Sequence, residues 1–381
     1  MKMKKVLLIN SCQGLYGGIE SFLLNIFNSL SPAEFDVTFL TCGKTTYDMY
    51  RNDIENRGGH IDEIPIFADT LSKQVKLYKA LKEYYSENQP DIVHINSGGL
   101  SFHYLASRAA KAVGIKTVIL HSHNFIPEKS GFKEKLKNFM KRQVARYGDV
   151  YLACSTGAAR WIFPENLVES NSVEIIPNGI DTVKFAYSLE KRQSFRNEFG
   201  IGNELLIGNI GRFQEQKNHP FMLKIMAEVI KKSPDAKLML AGEGELRKTI
   251  EEQVVEYGLA ENIIFLGERN DMDRFFSAMD VFILPSLHEG LPFAAIEAQA
   301  SGTTVLLADT VTVETNVTGN VSYLPIFSDG SEFLWAEAVL KELPREDYRH
   351  QQNKIMRQSP YNVEVCCQMM RNIYLGVQNV R

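Results

Sequence analysis

Along this chain, short apolar runs alternate with segments that are apolar on one side only. The runs 6–10, 36–42, 60–66, 91–96, 117–120, 150–154 and 173–176 are nearly continuous in apolar residues and too short for buried helices. They are predicted as parallel strands covered on both faces. Between the first two, Ile19, Phe22, Leu23, Ile26, Phe27 and Leu30 recur at helical spacing and stop at Ser31-Pro32, which completes a β-α-β unit. The rhythm resumes at 205–210, 236–240, 262–266, 281–284 and 304–307, with helices such as 220–232 between the runs. An α/β chain of two Rossmann-like, doubly wound domains follows. Its 381 residues exceed what one core usually serves. The polar turn Pro177-Asn178-Gly179-Ile180-Asp181 and the charged 188–198 helix form the expected linker. The expected domains are 1–180 and 181–360. A last helix at 363–374, within the segment 361–381, is expected to pack back on the N-terminal domain. The active site is expected in the cleft between two such domains.

Hydrophobic residues at 44% and charged residues at 23% exclude a disordered or membrane-embedded chain. Met-Lys-Met-Lys-Lys before Val6 imitates a signal peptide, but the apolar run ends at Asn10, as a first strand would. No stretch reaches the ~18 apolar residues of a spanning helix, so a cytoplasmic protein is expected, with any membrane contact peripheral. Cys12, Cys42, Cys154, Cys366 and Cys367 lack C-x-x-C spacing and read as reduced, mostly buried thiols. Residues 1–180 hold 21 basic and 18 acidic side chains, net +3, and the remainder 21 and 28, net −7. That imbalance is too small for a nucleic-acid binder.

Three segments carry candidate chemistry. Gly14-Leu15-Tyr16-Gly17-Gly18-Ile19-Glu20 joins the first strand to the first helix, where glycines permit close backbone approach and free amides attract phosphate. It is not a G-x-G-x-x-G fingerprint, and a plain tight turn is the competing reading. Gly211-Arg212 with Lys217 follows the first strand of the second half, where strand ends face the ligand crevice. An Arg grips a diphosphate bidentately and a nearby Lys adds charge, which stabilises a leaving group without metal; a solvated pair is the competing reading. In Ser286-Leu287-His288-Glu289-Gly290-Leu291-Pro292-Phe293-Ala294-Ala295-Ile296-Glu297 two carboxylates stand eight residues apart. Glu289 is expected just before a helix and Glu297 about two turns inside it, too far apart to share a proton. They suit two hydroxyl-bearing parts of one extended ligand, or are a cap and a chance helical Glu.

Taken together, Gly211-Arg212, Lys217, Glu289-Gly290-Leu291-Pro292 and Glu297 resemble the donor signature of glycosyltransferase family 4, with its E-x7-E spacing. Pro177-Asn178-Gly179-Ile180-Asp181 and Asp280-Val281-Phe282-Ile283-Leu284-Pro285-Ser286 are similar to the family's interdomain segment and pre-signature strand. The tract His121-Ser122-His123-Asn124 resembles bacterial capsular and exopolysaccharide enzymes. The resemblance implies a GT-B fold and a retaining, metal-independent transfer from a nucleotide diphosphate sugar, by default a uridine one, to a saccharide or lipid-linked acceptor. It also implies roles. Arg212 and Lys217 would hold the diphosphate, Glu297 the ribose and Glu289 the transferred sugar, with Gly290 and Leu291 also binding the donor. Gly17 and Gly18 would approach the donor phosphates, and the backbone around Gly267 the base. His123, with His121 as runner-up, would contact the transferred sugar, and Asn96 is a further possible sugar or acceptor contact. No cofactor is expected, since the nucleotide sugar is a substrate.

Other features bear less directly on chemistry. Gly242-Glu243-Gly244-Glu245 reads as a tight turn, and Asp271-Met272-Asp273 as the opening of a short helix rather than a metal site. Lys133, Lys135, Lys137, Lys141, Arg142 and Arg146 lie on a predicted amphipathic helix that could meet anionic lipid at the inner membrane face, or simply be solvated. Ser301-Gly302-Thr303-Thr304 departs from the small residue-Pro step usual in the family. Competing functions are a GT-B nucleotide-sugar epimerase, a non-catalytic donor-binding subunit and, more remotely, a hydride-transfer enzyme.

Overall fold

The structure of the protein is a computed structural model that describes residues 3–13, 17–97, 99–123, 133–341 and 345–377. The chain divides into two compact units, Met1–Gly179 with Val363–Arg381, and Ile180–Asn362. The first holds seven strands: β1 (Lys4–Gln13), β2 (Phe35–Lys44), β3 (His60–Ile64), β4 (Ile92–Ser97), β5 (Thr117–Ser122), β6 (Val150–Ala153) and β7 (Val173–Ile175). Every ladder is parallel and the order is β3-β2-β1-β4-β5-β6-β7, so the winding reverses between β1 and β4. Alternate residues supply opposite faces. Leu7, Ile9, Val93 and Ile95 feed one core, while Val6, Leu8, Ile92 and Ile119 feed the other. The second core also takes the helix Gly18–Ser29 and, from the helix Val363–Leu375, Cys366, Cys367, Met370 and Tyr374. None of the five cysteines is in a disulfide and four are buried.

The second unit repeats the plan with β8 (Leu206–Ile210), β9 (Lys237–Ala241), β10 (Ile263–Gly267), β11 (Val281–Leu284), β12 (Thr304–Ala308) and β13 (Val321–Leu324). The order is β10-β9-β8-β11-β12-β13, again parallel, with the reversal between β8 and β11. At this reversal the ladder is short, pairing only Val281 with Ile207 and Phe282 with Gly208. Beyond it the Asn209 side chain donates to the Ile283 carbonyl at 2.8 Å in place of a backbone amide. The strands therefore separate at their C-terminal ends, where a doubly wound sheet places its ligand.

Two elements differ from the sequence expectation. β13 is missed by the apolar-run criterion because Val321-Ser322-Tyr323-Leu324 is a half-exposed edge strand. The charged helix Leu189–Glu198, expected as linker, belongs to the second unit. Ser188 caps it, Phe195 is fully buried, and Arg196 is 4% exposed. Arg192 and Arg196 both reach the Asp280 carboxylate, at 2.7 and 3.4 Å. A charge count cannot reveal that a basic residue has a buried acidic partner 84 positions away.

A second buried cation of this unit has no carboxylate in its hydrogen-bond shell. Arg349, 5% exposed, donates to the carbonyls of Phe276, Met279 and Ser301 at 2.9 to 3.1 Å and to the hydroxyls of Ser301 and Thr303 at 3.1 and 2.9 Å. Its guanidinium also lies 4.2 Å from the centre of the Tyr187 ring. These carbonyls end the helices Met272–Ala278 and Phe293–Ala300, whose last turns leave acceptors unpaired and attract positive charge. Arg349→Met should lower the second unit's stability by about 3 kcal/mol or more, since several buried acceptors lose their donor. Urea unfolding followed by Trp335 fluorescence in a Trp161→Phe background tests this, and an unchanged midpoint refutes it.

Candidate active site

In the second unit the loops after β8 and β11 flank the point where the winding reverses. After β8, Gly211 is held by its amide on Ala241 O at 3.0 Å, and Phe213 by its amide on Glu243 O, also at 3.0 Å. Gly242, at φ 133°, packs so close that a Cβ there would lie 2.3 Å from Gly211 O. The Gly242 turn is thus also the backing of the Arg212 loop. A short 3-10 turn, Glu215–Lys217, follows and ends at Asn218, whose side chain donates to Pro285 O at 3.1 Å. Gln216 O accepts from the Leu287 amide at 2.8 Å, which ties the two loops together.

This lacing aligns the charged groups. Lys217 Nζ lies 2.6 Å from Glu289 Oε1, with both side chains largely buried. Gln216 Nε2 donates to His288 O at 2.9 Å and weakly to Glu289 Oε2 at 3.4 Å. The groups assigned to the diphosphate and to the sugar are thus each other's partners. Arg212 is exposed, and its guanidinium has no hydrogen bond or ion pair among the described residues. Glu297 is the fifth residue of the helix Phe293–Ala300, one turn in rather than two. The helix begins late because Pro292 stands at its cap in an extended conformation, φ −76° and ψ 107°, leaving Glu289, Gly290 and Leu291 in the loop. Burial pushes the Glu297 carboxyl up to about 7, partly opposed by Lys184. Gly267, at φ 67°, ends β10, and its carbonyl accepts from the Gly242 amide at 2.8 Å. Asp271 and Asp273 are engaged by Arg269, Arg274 and Lys191 at 2.7 to 2.8 Å. Asp271 stands at the N-cap of the short helix Met272–Ala278, but its side chain makes no capping hydrogen bond.

The first unit presents a different chemistry. Gly14, Leu15, Tyr16 and Asn124 lie outside the described residues. Gly17 and Gly18 are exposed at the start of the helix Gly18–Ser29, but the Gly17 amide already donates to Glu20 Oε2 at 2.9 Å. The buried Glu20 takes Asn10 Nδ2 with its other oxygen at 2.8 Å. The chain's own carboxylate thereby occupies part of the end expected to attract phosphate. Sequence reading missed Glu20, although a Glu three residues after a helix cap is a capping-box signal.

Register places Thr41, Asn10, Asn96 and His121 in one row across β2, β1, β4 and β5. Asn96 and His121 are 0% exposed and offer no surface to a ligand, whereas His123 is partly exposed. His94 Nδ1 meets Tyr374 Oη at 2.7 Å and its Nε2 meets His121 Nδ1 at 3.2 Å. His103 Nε2 lies 3.2 Å from His121 O. Burial holds His94 and His121 well below the usual histidine range, His103 at about 4 and His123 at about 3, and neighbouring imidazoles add to the depression at His94, His121 and His123. All four rings are neutral at pH 7.

The basic helix Lys133–Ala145 is less open than its charge suggests. The side chains of Lys133 and Lys135 lie outside the described residues. Lys137 Nζ sits 3.4 Å from the centre of the Trp161 ring and Lys141 is 8% exposed, so both are corrections to the expected basic face. Arg142 and Arg146 are exposed, as is Phe139. Among the described residues no helix is long and apolar enough to cross a membrane.

The histidine cluster sets a pH dependence. Its unfolded pKa values lie near 6.5 and its folded values lower, so unfolding takes up protons between them and stability falls with pH. From pH 7 to 5 the first unit should lose stability at up to ~1.4 kcal/mol per pH unit for each histidine. Urea midpoints read by Trp161 in a Trp335→Phe background test this; equal midpoints at the two pH values contradict it.

Comparison with known proteins agrees with this layout. The model of "Glycosyltransferase Family 4" matches residues 16–184, and that of "Glycosyl transferases group 1" matches residues 191–358. A relative named as the glycosyltransferase EpsF of Bacillus subtilis (strain 168) is 31% identical over 332 residues, 85% of this chain and 84% of its own. The UDP-Gal:alpha-D-GlcNAc-diphosphoundecaprenol alpha-1,3-galactosyltransferase of Escherichia coli is 27% identical over 80% of this chain and 78% of its own. Among solved structures, Anabaena Alr3699/HepE in complex with UDP superposes with a TM-score of 0.75 at 16% identity, covering 98% of this chain and 100% of that one. With two parallel, doubly wound sheets, and with sequence similarity across most of its length, the chain is a glycosyltransferase of the GT-B fold and belongs to glycosyltransferase family 4.

Proposed function

We propose that this glycosyltransferase moves a hexose from a uridine diphosphate sugar to a growing capsular or exopolysaccharide chain on a lipid-linked acceptor, with retention and without a metal. The observation that carries the donor reading is Arg212, an exposed guanidinium with no acidic partner among the described residues, in the same loop as Lys217 where β8 and β11 part. The names of the Escherichia coli galactosyltransferase and of the UDP-bound Anabaena protein support the uridine donor, and the former also supports the lipid-linked acceptor.

In the reaction the bond between the anomeric carbon and the phosphate oxygen breaks, and the acceptor oxygen bonds to that carbon on the same face. The acceptor's proton passes to the leaving phosphate oxygen. Charge develops on the diphosphate, so groups fixed in advance at that position lower the barrier. Arg212 provides two parallel donors and Lys217 a point charge. When Lys217 turns to phosphate, Glu289 is released toward the sugar hydroxyls, so one exchange of partners serves both assigned roles. Glu297 receives the ribose hydroxyls. Contact of the first unit with anionic lipid rests on Arg142, Arg146 and the exposed Phe139, at the inner face of the membrane.

Purified protein with chelator, nucleotide sugars and lipid-linked acceptors should release nucleotide diphosphate only when an acceptor gains one sugar. Release without acceptor would point to an epimerase, and donor binding without release to a non-catalytic subunit. Arg212→Ala and Lys217→Ala should each lower kcat by about a hundredfold or more. Unchanged turnover in Lys217→Ala would remove the assignment.

Hydroxyl donors prefer the ionised form of Glu297, so raising pH from 6 to 8 through its pKa of about 7 should strengthen donor binding. A UDP-sugar has no group of its own titrating there. Glu297→Gln should abolish the dependence in calorimetric titrations, and a pH slope that survives the substitution refutes the ribose role.

A further inference from the structure

Lys217 serves two anions in turn. Its Nζ is bonded to Glu289 Oε1 at 2.6 Å, and the donor reading sends it to phosphate. The Glu289 side chain is 9% exposed, so little water can replace the lysine once it turns away. Among the described residues one other group donates to this carboxylate, the side-chain amide of Gln216, with Nε2 at 3.4 Å from Oε2. The orientation of that amide has no alternative. Nε2 also donates to His288 O at 2.9 Å, and since a carbonyl and a carboxylate both accept, a flipped amide would set its oxygen against two others. Both hydrogens of the amide thus go to the loop after β11. The backbone of Gln216 is fixed as well, because its carbonyl accepts from the Leu287 amide at 2.8 Å. None of these ties involves the lysine side chain, so they persist when it moves.

We propose that Gln216 is a positioning residue for Glu289, whose carboxylate it holds in place after Lys217 has turned to the phosphate next to the sugar. Gln216 touches no ligand; it acts through Glu289. Its contact at 3.4 Å is held in reserve and shortens as the competing bond at 2.6 Å is given up. Lys217 meets the phosphate adjacent to the sugar because its present partner, Glu289, is the residue assigned to the sugar. This rests on the donor reading proposed above. The demand on Gln216 then differs between ligands. A UDP-sugar brings hydroxyls of its own to Glu289, UDP brings none, and UMP lacks the second phosphate and leaves the pair of Lys217 and Glu289 intact. Gln216 therefore matters most for UDP and least for UMP.

Calorimetric titration of the full chain with UDP and with UMP tests this without turnover. Gln216→Met keeps the length of the side chain and removes both donors. It should weaken UDP binding by about tenfold or more and leave UMP within about twofold. Gln216→Glu sets a carboxylate against Glu289 and should weaken UDP further. Retained UMP binding shows that each variant is folded, and either variant alone decides the comparison. In a Glu289→Gln background the change to Met should cost UDP nothing more, since no charge is left there to hold.

A purely structural loss in the loop would weaken UMP and UDP alike, in either background, and overturns the proposal. So does unchanged UDP affinity in Gln216→Met, the result expected when the lysine keeps both anions at once. The donor reading fails separately. If Lys217→Ala leaves UDP binding unchanged, the lysine does not meet phosphate at all, whereas UDP affinity that depends on Lys217 and not on Gln216 removes only the role of Gln216.

Discussion

The geometry of the second unit turns on the contact of Lys217 with Glu289. One charge is carried by the loop after β8, the other by the loop after β11, and these strands are neighbours only because the winding reverses between them. Burying either charge alone would be costly, and pairing them at 2.6 Å with Gln216 alongside offsets that cost. The same pair joins the loops beyond the short ladder, past the point where the Asn209 side chain bridges to Ile283 O. The sheet thus produces a separated pair of strand ends, and the ion pair keeps their loops in register. A ligand that offers phosphate to the lysine and hydroxyls to the carboxylate can replace this contact without leaving either charge unpaired.

The strand ends of the first unit carry neutral groups instead. Four imidazoles that are held neutral, two asparagines and a tyrosine stand at or near the C-terminal ends of β1, β4 and β5 or pack against them. Tyr374 comes from the helix Val363–Leu375, so this polar layer depends on the chain returning to the first unit. Burial keeps these rings neutral, and its cost is a loss of stability at low pH.

The strands were legible because both faces of each sheet are covered, which makes consecutive residues apolar; observed starts and ends lie within three residues of the predicted runs. β13 escaped because an edge strand needs only one good face. The helix Leu189–Glu198 misled because its arginines look solvated until Asp280 is placed beside them. At the site, Arg212, Lys217, Glu289 and Glu297 could be picked out by residue type and spacing, sharpened by the family resemblance. Their pairing could not, since Lys217 and Glu289 are 72 residues apart and spacing says nothing about which side chains meet across a sheet.

Net charge is a poor guide to what the second unit binds. Its residues, 180–362, carry 19 basic and 27 acidic side chains, net −8, which taken alone repels a diphosphate. Charges on the far side of the unit are screened within about 8–10 Å at physiological salt, while groups in contact with the ligand are screened far less. Much of the acidic excess is also spoken for locally. Asp280 serves Arg192 and Arg196, Asp271 serves Arg269 and Arg274, and Glu289 serves Lys217. Arg212 is the exception at the strand ends, an exposed cation without such a partner among the described residues. An anion in contact with Arg212 would therefore meet an uncompensated positive charge even though the sum is negative, so the pattern of pairing matters more locally than the total.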